Sequence, residues 1–413
     1  MDSFEGIRIC FLADKHDLYD DRIYWKMAVP LHQLGSEVHY YLIGEEDASG
    51  TTPEGIIFKS WKRKSFSGNL FVNHTLKRLD RANNYQKLFR ASAALKADIY
   101  HFHDLWINRI APGLKALPHR PVVFYDASEP HADDFRSFYG AGRFSSVLVD
   151  IFATWVDRWE KQRAKCYDLL IATEPIVRDR FAAAVGEDRA VVIYNFSNWG
   201  DLSRSDTEIR DPGLPEKKYD LIYCGMLTEP RGAFPILETL RALRLKRPEI
   251  KLLLLGQIDP PALKERMLGY IREHELEKNV EIRGQVAFEE VVRYYRKSRI
   301  GLILWKPLES LKIKMPIKLF EYMAFGLPVI GSDFGHISEY IKKDRCGVTV
   351  DPENAAEVAE GIGLLLDDPD RFQQMSRNGK DATLKKYSWK GEFERLCDYY
   401  RKALDERRKN IRN

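Results

Sequence analysis

Met315-Pro316-Ile317-Lys318-Leu319-Phe320-Glu321-Tyr322-Met323-Ala324-Phe325-Gly326-Leu327-Pro328-Val329-Ile330 is the stretch whose reading decides the fold. A proline near its head suits the first turn of a helix, where a missing N–H costs nothing. Gly326 suits the left-handed position that ends a helix, so roughly three turns are predicted between the two. Pro328 then leads into an apolar strand. Lys318 and Glu321 are three residues apart and share one helix face. A cation near a helix N-terminus opposes the helix dipole, so Lys318 points to an anionic ligand rather than to helix stability.

Outward from this unit, short apolar runs alternate with helical patterns, the sign of a parallel sheet with crossover helices. Around it lie Leu221–Cys224, Lys251–Leu255, Val280–Arg283, Gly301–Leu304, Val329–Gly331 and Gly347–Val350. The same alternation runs earlier through Ile7–Leu12, Val38–Ile43, Ile99–Phe102, Val122–Tyr125, Leu169–Ala172 and Val191–Tyr194. Between the two sets, Asp206–Glu216 is polar, holds Pro212, Gly213 and Pro215, and reads as a linker. A chain of 413 residues exceeds one ordinary core. The expectation is therefore α/β, with two Rossmann-like doubly wound domains at 1–205 and 217–387 joined by 206–216. After Tyr387-Ser388-Trp389, a last amphipathic helix (388–413) carries Phe393, Leu396, Tyr400 and Leu404 at helical spacing.

Composition is that of a globular protein, 44% hydrophobic and 31% charged, and no run of 18 apolar residues is present. Five scattered cysteines show no paired spacing, and the first residues lack the basic and apolar parts of a signal peptide. A reduced, cytoplasmic protein is expected. The net charge of +4 is unevenly spread: from Lys59 to Lys96 ten Lys and Arg face the single acid Asp80, with Trp61, Phe66, Leu70, Phe71, Leu79, Tyr85, Leu88 and Phe89 interleaved. This pattern fits either a solvated helical face or a segment (59–96) resting on an anionic membrane or anionic acceptor. No helix-turn-helix, zinc finger or aromatic sheet motif accompanies the charge, which argues against nucleic acid.

Leu221-Ile222-Tyr223-Cys224-Gly225-Met226-Leu227-Thr228-Glu229-Pro230-Arg231-Gly232 reads as a strand, a turn and a helix start. A backbone loop entering a helix N-terminus is an anion site, and Arg231 adds a bidentate donor. Together with the opening stretch, Gly331-Ser332-Asp333-Phe334-Gly335 and Glu339, this resembles the donor site of retaining nucleotide-sugar glycosyltransferases of family 4, the glycosyl transferases group 1. The resemblance implies the GT-B fold: two such domains facing each other across a cleft, with the last helix crossing back onto the first. It also implies donor binding by Gly225, Arg231, Lys318, Glu321, Gly335 and Glu339. Glu321 matches the residue that holds the ribose hydroxyls, and Arg231 the one that neutralises the leaving diphosphate. Two departures stand out. Met226 occupies the place of a second arginine, and Ile313 that of a glutamate eight residues before Glu321; Glu309 in the same loop does not match.

In the first domain Asp98-Ile99-Tyr100-His101-Phe102-His103-Asp104 ends a strand, and alternation puts both histidines on one face. His103 matches the family's acceptor-side histidine, which orients the acceptor hydroxyl, takes its proton or binds the donor sugar. Metal binding is the rival, with no third ligand visible in sequence. Asp126 and Glu129, in Val123-Phe124-Tyr125-Asp126-Ala127-Ser128-Glu129, resemble further acceptor-side positions. The loop after the first strand lacks the family's usual glycine pair, which leaves Lys15, His16 and Arg22 to approach an anionic group instead.

The resemblance implies transfer of a hexose from a nucleotide sugar to a hydroxyl of a glycan or lipid-linked acceptor, with retained configuration. Uridine diphosphate donors are favoured, with His103, Arg231 and Lys318 as catalytic groups and neither cofactor nor metal. Asp368-Pro369-Asp370, the one acid-x-acid pair considered for a metal, reads as a turn and cap. Two alternatives share the donor site: a nucleotide-sugar isomerase, which needs an acid/base set, and a weakly catalytic scaffold, which Met226 and Ile313 favour. A nicotinamide dehydrogenase is disfavoured, because neither domain shows Gly-x-Gly-x-x-Gly after its first strand.

Overall fold

The computed structural model describes residues 3–14, 16–64, 70–128, 131–139, 143–197, 217–286, 288–312 and 314–412. Lys15, Glu129, Ile313 and the linker 206–216 lie outside them. The chain separates into a first unit, Met1–Asn195 with Trp389–Asn413, and a second unit, Phe196–Ser388. The first unit ends at Asn195 rather than at 205, and its C-terminal part begins at Trp389.

The first unit is built on eight strands: β1 (Arg8–Asp14), β2 (Glu37–Gly44), β3 (Ala48–Thr51), β4 (Ile57–Lys62), β5 (Ile99–His103), β6 (Val122–Ala127), β7 (Leu169–Ala172) and β8 (Ala190–Val192). Their order is β3-β4-β2-β1-β5-β6-β7-β8, parallel throughout except for the edge pair β3–β4. In β1, Ile9 sits beside Val38 on one side and Ile99 on the other, and successive residues of the strand are buried on alternate faces, as a covered parallel sheet requires. Phe11 and Ala13 face one core with Tyr24 and Met27. Cys10 and Leu12 face the other with Tyr85, Leu88 and Phe181. The last helix, Trp389–Arg412, closes the first of these cores with Trp389, Phe393, Leu396, Tyr400 and Leu404. It therefore returns to the first unit, as the family resemblance implies.

The second unit holds β9 (Tyr219–Cys224), β10 (Leu252–Leu255), β11 (Val280–Arg283), β12 (Ser298–Ile303), β13 (Val329–Ser332) and β14 (Gly347–Val350). All pairs are parallel, in the order β11-β10-β9-β12-β13-β14. Counted from the unit's own first strand this is 3-2-1-4-5-6, the dinucleotide-fold order.

The opening stretch folds nearly as read. Its helix is Ile317–Ala324, shorter than three turns, with Pro316 one place earlier than expected, at the N-cap. Gly326 takes φ +66°. Its N–H donates to Met323 O at 3.0 Å and the N–H of Leu327 to Tyr322 O at 2.9 Å, a Schellman ending. Asp368 caps the helix Pro369–Lys386 by accepting from Arg371 N, which agrees with its reading as a turn and cap. In the basic stretch, Arg63 is not a free cation: its Nη2 meets the buried Asp14 Oδ1 at 2.5 Å.

Candidate active site

In the second unit the strand order reverses between β9 and β12, so their carboxyl ends open the crevice where doubly wound sheets take ligands. Gly225 leaves β9 with φ +106°. Gly232, φ +93°, is the N-cap of the helix Ala233–Arg244, and a Cβ there would stand 2.1 Å from Leu304 O. Both the left-handed backbone and the close approach require glycine at 232.

The helix Ile317–Ala324 aims Lys318 at this turn. Its Nζ lies 3.8 Å from the centroid of the Tyr223 ring, and a Cβ on Gly225 would stand 3.4 Å from it. Tyr223 is itself fixed by donating to Met226 O at 2.9 Å. The Lys318 ammonium is buried and has no hydrogen-bond partner among the described residues. Burial foremost, then the charge of Arg231, push its pKa down to about 7. Arg231 reaches Met226 O at 3.4 Å and stands 5.7 Å over the Trp305 ring. Two cations thus converge on one backbone turn, and a buried donor group without an acceptor is satisfied by an anion placed there.

One turn beyond Lys318, Glu321 accepts a 2.6 Å hydrogen bond from Tyr295, whose buried phenol is held protonated because burial raises its pKa. Glu339 is exposed and meets His336 Nδ1 at 3.0 Å in the first turn of the helix Gly335–Asp344. Gly335 starts that helix with φ +54°. Glu309 is exposed and paired with Lys312 at 2.6 Å. Met226, in the place of the family's second arginine, is 46% exposed and brings no charge to the turn.

In the first unit the order reverses between β1 and β5, and residues following these strands meet. Asp104, in the left-handed region at φ +74°, accepts from Asp14 N at 2.8 Å and lies 3.4 Å from His16 Nε2. His16 Nδ1 meets Asp20 at 2.8 Å. Burial works against a charge on His16, but Asp104 and Asp20 outweigh it and raise the pKa to about 10, so His16 is a fixed cation. Arg22 is buried, with Nε 2.8 Å from Asp126 Oδ2 and Nη2 donating to Ile193 O at 3.3 Å. A carboxylate as buried as Asp126 needs such a partner.

His103 ends β5 against this pair, its Nδ1 3.9 Å from Asp126 Oδ2. Burial, then the charges of His16 and Arg22, push its pKa well below the ordinary value, so it is neutral and a hydrogen-bonding group rather than a strong base. His101 lies on the same face, its ring stacked 4.6 Å from that of His103, and its Nδ1 shares a 2.5 Å hydrogen bond with Tyr400.

The structure supplies a third metal-ligand candidate that the sequence did not show. Ligand atoms of His101, His103 and Asp126 all lie within 4.8 Å of one another. The donor set fits a cation poorly, because the Arg22 guanidinium already holds Asp126 and sets a positive charge beside the three groups. Sequence reading missed Tyr223, Tyr295, Asp104 and Tyr400. Tyr295 and Tyr400 reach the site from distant elements, and Tyr223 and Asp104, though beside site residues in sequence, make their contacts with partners distant in the chain.

Residues 204–382 match the family profile described as glycosyl transferases group 1. An uncharacterized glycosyltransferase of Methanocaldococcus jannaschii is 25% identical over 318 residues, 75% of this chain and 76% of that protein. Among solved structures, sucrose-phosphate synthase of Thermosynechococcus elongatus superposes with a TM-score of 0.70 at 16% identity, covering 97% of this chain and 100% of that one. HepE of Anabaena, solved in complex with UDP, gives 0.66 at 14% identity, covering 96% and 100%. The second unit thus carries the domain described as glycosyl transferases group 1, and the chain has the GT-B fold of these neighbours.

Proposed function

We propose that this glycosyltransferase moves a hexose from a nucleotide sugar, with uridine diphosphate as the favoured carrier, to a hydroxyl of a glycan or lipid-linked acceptor with retained configuration. The observation that carries the reading is the buried Lys318 ammonium, without a hydrogen-bond partner among the described residues, beside Arg231 at the switch point of the second sheet. A diphosphate supplies the acceptor oxygens this pair lacks. Glu321, held by Tyr295, offers a carboxylate to two neighbouring ribose hydroxyls. HepE, a structural neighbour, was solved with UDP, which supports the choice of base.

In the proposed step the bond between the sugar's anomeric carbon and the diphosphate oxygen breaks. The acceptor oxygen bonds to that carbon on the same face, and its proton passes to the departing phosphate. Negative charge grows on the diphosphate, where Arg231, Lys318 and the helix start at Gly232 stabilise it. No protein nucleophile or metal is needed in this route. In the first unit, neutral His103 is the group to orient the acceptor hydroxyl, with Asp126 and Arg22 holding the shape around it.

Met226, which brings no charge of its own to the turn, favours one second reading, a subunit that binds donor without turnover. The deciding experiment incubates uridine, guanosine and adenosine diphosphate sugars with wild type and Glu321→Ala, and follows nucleoside diphosphate release. Release from one donor, lost in the variant, is expected. Binding without release in wild type moves the scaffold reading ahead.

A further inference from the structure

The helix Arg143–Ala164 carries its large apolar side chains on the wrong side for a core. Ala153, Val156, Glu160 and Ala164 face inward and are buried. Val147, Leu148, Ile151, Phe152 and Trp155 instead form a stripe on the opposite face, with Leu148 69%, Ile151 61% and Trp155 49% exposed. Side chains at i, i+1, i+4, i+5 and i+8 lie together on a helix, so this is one continuous apolar surface about 12 Å long. Exposed apolar patches of this kind mark interaction sites.

Chemistry along the stripe is ordered by depth. The purely apolar residues come first. One turn on, Trp155 and Trp159 stack with Trp106, the ring centroids 5.6 to 6.4 Å apart. Arg158, Arg163 and Lys165 follow, Arg163 standing 5.7 Å over the Trp159 ring. The acids of this helix are each matched by a cation, Asp150 at the surface and Glu160 in the interior. Asp150 pairs with Arg136, Asp157 with Lys161 and Arg180, and Glu160 is buried on Arg180 and Tyr125. The exposed balance is therefore apolar, then aromatic, then cationic.

A protein partner would need no such ordering, whereas a monolayer presents acyl chains, a headgroup boundary and phosphates in that sequence. We infer that the hairpin of His131–Tyr139 and Arg143–Ala164 docks this protein on an anionic membrane surface, with Leu148 and Ile151 among the acyl chains, the tryptophans at the boundary and Arg158 and Lys165 at the phosphates. This places the membrane contact on a different helix from the basic stretch 59–96. It does not depend on the donor chemistry.

The test is co-sedimentation of the full chain with vesicles of mixed phosphatidylglycerol and phosphatidylethanolamine, without donor sugar, alongside sedimentation velocity. Wild type binds. Leu148→Asp/Ile151→Asp, whose positions are exposed and whose melting temperature stays at the wild-type value, loses about tenfold or more in partition. Arg158→Gln/Lys165→Gln weakens binding and its salt dependence. Absent wild-type binding, or equal binding by the aspartate variant, overturns the proposal. So does a wild-type dimer that the aspartate variant dissociates, which makes a second copy of the chain the occupant.

Discussion

Lys318 is the residue on which most depends. Its pKa is lowered from 10.5 to about 7, because burial and Arg231 both disfavour the ammonium. As pH rises through 7 the free protein loses the charge that a diphosphate would meet, so donor affinity falls above that point. Between about 7 and 10.5 binding takes up a proton, visible by calorimetry in buffers of different ionisation heat. The stability sign follows from the same shift. Between the two values the folded state binds fewer protons than the unfolded one. The stability contributed by this group is present above 10.5 and lost as pH falls through 7. Lys318→Met should therefore weaken donor binding by roughly tenfold to a hundredfold while raising the melting temperature at pH 6. A wild-type affinity flat from pH 6 to 9 would contradict this role. Lys318 was legible in sequence because it sits where the helix dipole rejects it. The Tyr223 ring beneath it and the Tyr295 hydroxyl on Glu321 were not, since their contacts are made across the fold.

At the scale of elements, the strands of both sheets were readable wherever both faces are covered, because burial on two sides forces a continuous apolar run. Two neighbouring strands at one side of the first sheet escaped. Ala48–Thr51 is small and polar, and Ile57–Lys62 carries lysines that drew it into the basic stretch. The last helix has the opposite character: its spacing predicted a buried face, and the structure shows what lies beneath. Trp389 donates to Lys26 O at 2.8 Å, Tyr400 meets His101, and Arg407 reaches Asp98 at 2.8 Å. Five large side chains of this helix cover one face of the first sheet, each worth about 1.5–3 kcal/mol, against a typical total of roughly 5–15 kcal/mol. A chain stopped after Ser388 should thus lose hydrogen-exchange protection in β1, β5 and β6 and keep it in β9, β12 and β13. Continued protection of β1 would show that the helix is an accessory.

Across the whole molecule, each unit places its candidate site where its own strand order reverses, between β1 and β5 and between β9 and β12. The second-unit site was largely legible because one short stretch carries helix start, cation, carboxylate and cap together. The first-unit site was less so. Its charges are matched over long separations, Asp14 by Tyr85 and Arg63, and Asp126 by Arg22, and pairing of that kind follows from topology rather than spacing. The central claim is that Glu321 and its neighbours form a nucleotide-sugar site, and calorimetric titration with UDP-glucose tests it most directly. Wild type should bind, and Glu321→Ala should bind roughly tenfold to a hundredfold more weakly, the loss of two hydroxyl contacts to a charged group. Equal affinity in the two proteins, or no heat with any uridine, guanosine or adenosine diphosphate sugar, would contradict the account.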